Sequence, residues 1–75
     1  MQQRWEVNYL VDTKKIKALL VENGYTQSEI AKKLGISITS FSRKVNNKTQ
    51  FNLSEAFLLK KELKISNMEQ VFFIN

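Results

Sequence analysis

Helix-start residues at Asp12, Thr26 and Ser37, with glycines at 24 and 35 between them, limit this chain to short helices joined by tight corners. The Asp12 carboxylate can cap the first amides of a helix whose apolar side is Ile16, Leu19 and Leu20, with Val21 at its margin. Lys14, Lys15, Lys17 and Glu22 face outward on it, and Gly24 stands where a left-handed residue must stop it. Thr26-Gln27-Ser28-Glu29 is a capping box, in which hydroxyl and carboxylate each satisfy an orphan amide. It opens a second helix that buries Ile30, Ala31 and Leu34 and halts at Gly35. Ser37 then caps a third helix running to about Asn46. On it Phe41 and Val45 point to the core, while Thr39, Arg43 and Asn46 lie on roughly the opposite face.

A fourth helix is expected from near Asn52, with Glu55 three residues on, burying Leu53, Ala56, Leu59 and Leu63 and exposing Lys60, Lys61 and Glu62. Ser66-Asn67-Met68-Glu69 is a second Ser-x-x-Glu pattern and predicts a short fifth helix. Near the N-terminus Trp5, Val7, Tyr9 and Val11 alternate with Glu6, Asn8 and Leu10, the period of a strand. Its one candidate partner is Val71-Phe72-Phe73-Ile74; an extended arm packing Trp5 on the body is the equal alternative. The expected fold is therefore all-α, five short helices in a compact orthogonal bundle, with short extended segments at the ends. Residues 1–11 form an arm or short strand and residues 12–75 the helical domain.

Seventy-five residues make one small domain near the lower size limit for stability without cross-links. With no cysteine and no histidine there is no disulfide framework, no usual zinc ligand set and no imidazole general base. The carboxylates are scattered, and two glycines cannot build a phosphate loop. An enzyme is not expected, and neither a cofactor nor a metal. No apolar run approaches the roughly 20 residues that span a bilayer, and the first residues lack the apolar stretch of a secretory signal. A cytoplasmic protein is expected.

The charge is unevenly placed. Five basic residues (Lys32, Lys33, Arg43, Lys44, Lys48) and no acidic one lie between Ile30 and Ser54, which accounts for the whole net charge of +5. A local positive field on a compact helical pair attracts a phosphate backbone, although a solvated lysine face is the plainer reading of charge alone. The corner between the second and third helices shifts the balance toward nucleic acid. Two short helices cross steeply only if their backbones approach closely, which needs a small residue on the first and a left-handed residue in the turn. Ala31 and Gly35 supply these, and Ile30, Leu34, Ile36, Phe41 and Val45 brace the corner so that the third helix can project into a major groove.

The stretch Thr26 to Ser37, with Phe41-Ser42-Arg43 and Asn46-Asn47-Lys48, resembles the phage-repressor-like (Cro/CI-type, XRE-like) helix-turn-helix family, and the similarity extends over roughly residues 12–66. It implies a lambda-repressor-like fold and a transcriptional regulator that binds double-stranded operator DNA. Two departures stand out. Lys44 occupies a position where the family has an aliphatic residue, with Val45 one later, and Asn46-Asn47 replaces the usual Asn-Gly. Asparagine tolerates left-handed geometry, so the turn is expected to survive.

The resemblance places base reading at the start of the third helix, on Ile38 and Thr39, with Ser42 a weaker candidate. A β-branched methyl can pack on thymine, and Arg43, one turn beyond Thr39, can fork onto guanine or a phosphate. Gln27 and Ser28 can hold a phosphate at the second helix's start, and Ser37 is a cap first and a phosphate contact second. Asn47, Lys48 and Thr49 fall where the family meets the backbone, and Lys32 and Lys44 add screening charge. The apolar C-terminus, with Trp5 and Tyr9, is either core closure or a protein interface of Trp5, Tyr9, Val71, Phe72, Phe73 and Ile74. A homodimer and a repressor-protein partner both remain open. The competing function is an antirepressor-type module that uses the same fold to bind a phage repressor.

Overall fold

The computed structural model describes residues 8–74. Strand β1 (Tyr9–Val11) leads into four helices, α1 (Thr13–Glu22), α2 (Gln27–Leu34), α3 (Ile38–Val45) and α4 (Leu53–Glu62). A single 3-10 turn at Met68–Gln70 then leads to strand β2 (Phe72–Ile74). The expected start residues do cap the helices: Asp12, Thr26, Ser37 and Asn52 each accept from the amide three residues on, and Glu29 and Glu55 close two reciprocal capping boxes.

Each helix ends on a left-handed residue: Gly24 at φ 73°, Gly35 at φ 75°, Asn47 at φ 61° and Lys64 at φ 55°. The amide of the residue after each closes back onto the helix's last turn, Tyr25 to Leu20, Ile36 to Ala31, Lys48 to Arg43 and Ile65 to Lys60. The two non-glycine stops carry the steric cost of that conformation.

Three expectations about the helices need correction. The fifth helix is only the 3-10 turn, capped by Asn67, whose Oδ1 accepts from the Glu69 amide at 3.0 Å; Ser66 is not the cap. The chain is drawn out of the turn at once because Phe72–Ile74 pairs with β1, so no length remains for a helix. Val21 is 79% exposed, since Ile16 and Leu20, with Leu19 half-buried beside them, form the inward side of the three-turn α1. Leu53 is also exposed, and Glu55 takes the inward position beside Ala56 and Leu59.

The two end strands pair antiparallel, Tyr9 with Ile74, Leu10 with Phe73 and Val11 with Phe72, so the fold is helical with a small sheet and not purely α. Asp12 N donates to Val71 O at 2.8 Å, whereas Tyr9 exchanges bonds of 2.8 and 3.0 Å with Phe51. Even residues of β1 therefore face β2 and odd ones face the opposite edge. On that edge Val11 is met by a side chain: its amide donates to Asn47 Oδ1 and its carbonyl accepts from Asn47 Nδ2, each at 2.9 Å. One carboxamide thus completes the sheet edge as a peptide would. Trp5 and Val7 lie outside the described residues.

The core joins Val11, Ile16, Leu20, Ile30, Phe41, Val45, Phe51, Leu59 and Leu63 with the terminal Val71 and Phe72. Phe51 is fully buried and meets Phe41 and Phe72 edge-on at 5.9 and 6.3 Å. Such pairs contribute about 1 kcal/mol each beyond their burial, and they fasten the segment after α3 to the end strands.

Candidate nucleic-acid interface

The corner between α2 and α3 sets the geometry of the surface. Ala31 is 1% exposed, which lets the helices approach, and Gly35 turns the chain while its amide donates to Lys32 O at 3.1 Å. Ser37 Oγ accepts from the Ser40 amide at 3.0 Å and starts α3 at once. Ile30, Phe41 and Val45 are fully buried beneath, so α3 is held as a rigid unit. At the start of α2 the Thr26 hydroxyl accepts from the Glu29 amide at 3.1 Å, and the Glu29 carboxylate accepts from the Thr26 amide at 2.8 Å. The Thr26 amide first, and the Thr26 hydroxyl second, hold the Glu29 carboxyl below its ordinary range.

Gln27 from the first turn of α2 and Ile38, Thr39, Ser42 and Arg43 from α3 line one shallow surface cleft of 310 Å³. Ile38 is 51% exposed, so it is not the core residue that its place beside Ile36 would also have allowed. Thr39 and Arg43 are exposed and Ser42 is half-buried. Arg43 enters no ion pair among the described residues, and its guanidinium stands free for an anion. Ser28 is exposed beside Gln27, and Lys48 and Thr49 are exposed just past α3 with both amides directed at Arg43 O.

Other expected site residues are placed elsewhere or already engaged. Lys44 turns inward: its Nζ donates to both carboxylate oxygens of Glu55, at 2.8 and 3.0 Å, and lies 5.9 Å from the Phe51 ring. The Asn47 amide is taken up by Val11. Lys32 groups with Gly24, Tyr25, Glu29 and Lys33, away from the α3 cleft. Of the expected protein interface, the side chains of Val71 and Phe72 are buried in the core and cannot form a surface. Tyr9 is half-buried, edge-on to Phe72 at 6.1 Å, while Phe73 and Ile74 are exposed.

A family model described as Helix-turn-helix matches residues 16–66. The chain belongs to this helix-turn-helix family, of the XRE type. The matched span runs from α1 past the end of α4 and contains the whole α2–α3 corner; both end strands lie outside it. The family is one of DNA-binding regulatory domains, not typically enzymatic, and membership in it implies double-stranded DNA as the ligand. No curated protein and no solved structure matches it. Among the described residues no helix is long and apolar enough to cross a membrane.

Three side chains that organise this helix-turn-helix surface were missed from sequence: Phe51 as a core anchor, Asn47 as a bridge to β1, and Glu55 as the partner of Lys44. The Lys44 departure carried the signal. A lysine where an aliphatic residue belongs needs a nearby carboxylate, and Glu55 is the first acidic residue after it.

Proposed function

We propose that the chain is a sequence-specific transcriptional regulator of the phage Cro or repressor type, reading operator DNA in the major groove with α3. The observation that carries this reading is the gathering of Gln27, Ile38, Thr39, Ser42 and Arg43 around one exposed cleft, the four α3 residues lying within the Ile30–Ser54 stretch that carries the net charge. In this reading Ile38 and Thr39 pack on thymine methyl groups, and Arg43 forks onto guanine or an adjacent phosphate. The Gln27 and Ser28 end of α2 and the Lys48-Thr49 segment hold the sugar-phosphate backbone on either side. Asn47 and Lys44 act at one remove, fixing the end of α3 rather than touching DNA. The test is selective, salt-sensitive binding of duplex DNA that Arg43→Ala weakens.

The regulator acts as a homodimer joined at β2. What supports this is the free edge of that strand. The polar groups of Phe72 and Ile74 point away from β1, and among the described residues they have no partner there. Phe73 is 47% and Ile74 74% exposed beside that edge. Antiparallel pairing with the same strand of a second copy is self-complementary across a two-fold axis. Two such copies on DNA require half-sites about one helical turn, roughly 34 Å, apart. The antirepressor reading draws on exposed Ile38 and the sparse hydrogen-bonding groups of α3. Salt separates the two, because binding through phosphates weakens steeply as salt rises and an apolar protein contact does not.

A further inference from the structure

Helix α4 has apolar side chains on its outer face that neither the core nor the DNA surface uses. Phe57 is 58% and Leu53 37% exposed, one turn apart on the helix. Beside them Leu34 from the end of α2 joins Ser54, Glu55, Phe57, Leu58 and Lys61 around a cleft of 320 Å³, with the Glu55 carboxylate held by Lys44. This cleft shares no residue with the one on α3.

The charges of α4 sort themselves in one direction. Its two carboxylates, Glu55 and Glu62, are both consumed within the fold. Glu55 holds Lys44 and the Asn52 amide, and Glu62 accepts from the Tyr25 hydroxyl and lies 3.8 Å from Lys33 Nζ. The outward charges that remain, Lys60 and Lys61, are exposed and cationic, with Lys64 just beyond. A second copy laid on this face would bring lysine against lysine around the apolar patch, which is unfavourable for a two-fold contact. A partner with carboxylates flanking apolar anchors meets both features at once.

We propose that the Leu34–Phe57–Leu58 cleft is a docking site for an acidic amphipathic helix of another protein. One apolar anchor of that helix enters between Leu34 and Phe57, and its flanking carboxylates meet Lys61 and Lys60. The recognition mode is that of a helix laid into a groove. A regulator so equipped carries a protein contact on α4 while α3 remains free for DNA. The proposal does not depend on the DNA-reading assignment of α3, because the two surfaces are separate.

The test uses the full chain, labelled with ¹⁵N, and two synthetic amphipathic helical peptides that share Leu and Phe anchors at helical spacing. One carries Asp and Glu at the flanking positions, the other Lys. The expected result is saturable binding of the acidic peptide alone, with amide shifts centred on Leu34, Phe57, Leu58 and Lys61. Phe57→Glu should weaken it at least about tenfold, as removal of a central aromatic anchor does, and Lys61→Glu should invert the preference between the peptides. Phe57 is exposed, so its replacement leaves the core intact, and an unchanged helical circular dichroism spectrum verifies this. Equal binding of both peptides, or shifts scattered away from the cleft, would overturn the proposal. So would loss of the dimer in sedimentation or loss of DNA affinity on Phe57→Glu, since these assign the face to a second copy or to DNA.

Discussion

Replacing Asn47 separates two contributions that the structure assigns to one residue. Its carboxamide makes both hydrogen bonds to the backbone of Val11, each 2.9 Å long, and Val11 is 2% exposed. Removing the amide leaves a donor and an acceptor on a buried residue without partners, at about 1 kcal/mol each with water partly replacing them, hence about 2 kcal/mol for Asn47→Gly. Glycine keeps the left-handed backbone at φ 61°. Alanine loses the amide and also pays the steric cost of that conformation, about 1 kcal/mol more, for about 3 kcal/mol in all. A chain of this size has a net stability of roughly 7 kcal/mol at about 0.1 kcal/mol per residue. Asn47→Ala should then lower the melting temperature by about 12 °C or more. Urea unfolding followed by circular dichroism gives the two free energies, and hydrogen exchange of the Val11 amide reads the lost bond directly. A glycine variant within about 0.5 kcal/mol of the parent, with Val11 still protected, would refute the bridging role. Equal stability of the alanine and glycine variants would refute the backbone argument.

Lys64 sits in the left-handed region at φ 55°, where glycine is unstrained, so Lys64→Gly should raise stability by about 1 kcal/mol in the same urea assay. The Lys44–Glu55 pair is largely enclosed, with side chains 17% and 11% exposed. Lys44→Met alone should cost about 1–3 kcal/mol by leaving a buried carboxylate without its cation, and Lys44→Met with Glu55→Gln should recover much of it in a double-mutant cycle. Equilibrium sedimentation of the free protein should show a dimer, and Phe73→Lys with Ile74→Lys should convert it to a monomer that keeps its helical spectrum. An unaltered dimer would move the interface off β2.

Most of the helical frame was legible because its signals are local. A capping side chain and a left-handed stop act within three or four residues, so Asp12, Thr26, Ser37, Asn52, Gly24 and Gly35 could be read one by one. What escaped depends on distance along the chain. The fifth helix was lost because Phe72 pairs with Val11, a contact that a Ser-x-x-Glu pattern at Ser66 does not reveal. Leu53 turned out exposed because Lys44, eleven residues before Glu55, draws that carboxylate inward and sets the rotation of α4. The candidate site shows the same division. The exposed positions of α3 follow from its 3.6-residue period, with Phe41 and Val45 fixing the inward side. Helical spacing alone gives no sign that Asn47 is spent on β1, thirty-six residues away.

In the proposed function α3 reads DNA through Thr39, Arg43 and their neighbours. Fluorescence anisotropy tests it most directly, with the full chain titrated into its own upstream intergenic duplex and into a scrambled duplex, each at two salt concentrations. The expected result is a clear preference for the first duplex, a steep loss of affinity with salt, and a penalty of about 1–3 kcal/mol on Arg43→Ala, a guanidinium's contribution at a base edge. Weak binding that is equal on both duplexes and indifferent to Arg43→Ala would contradict it.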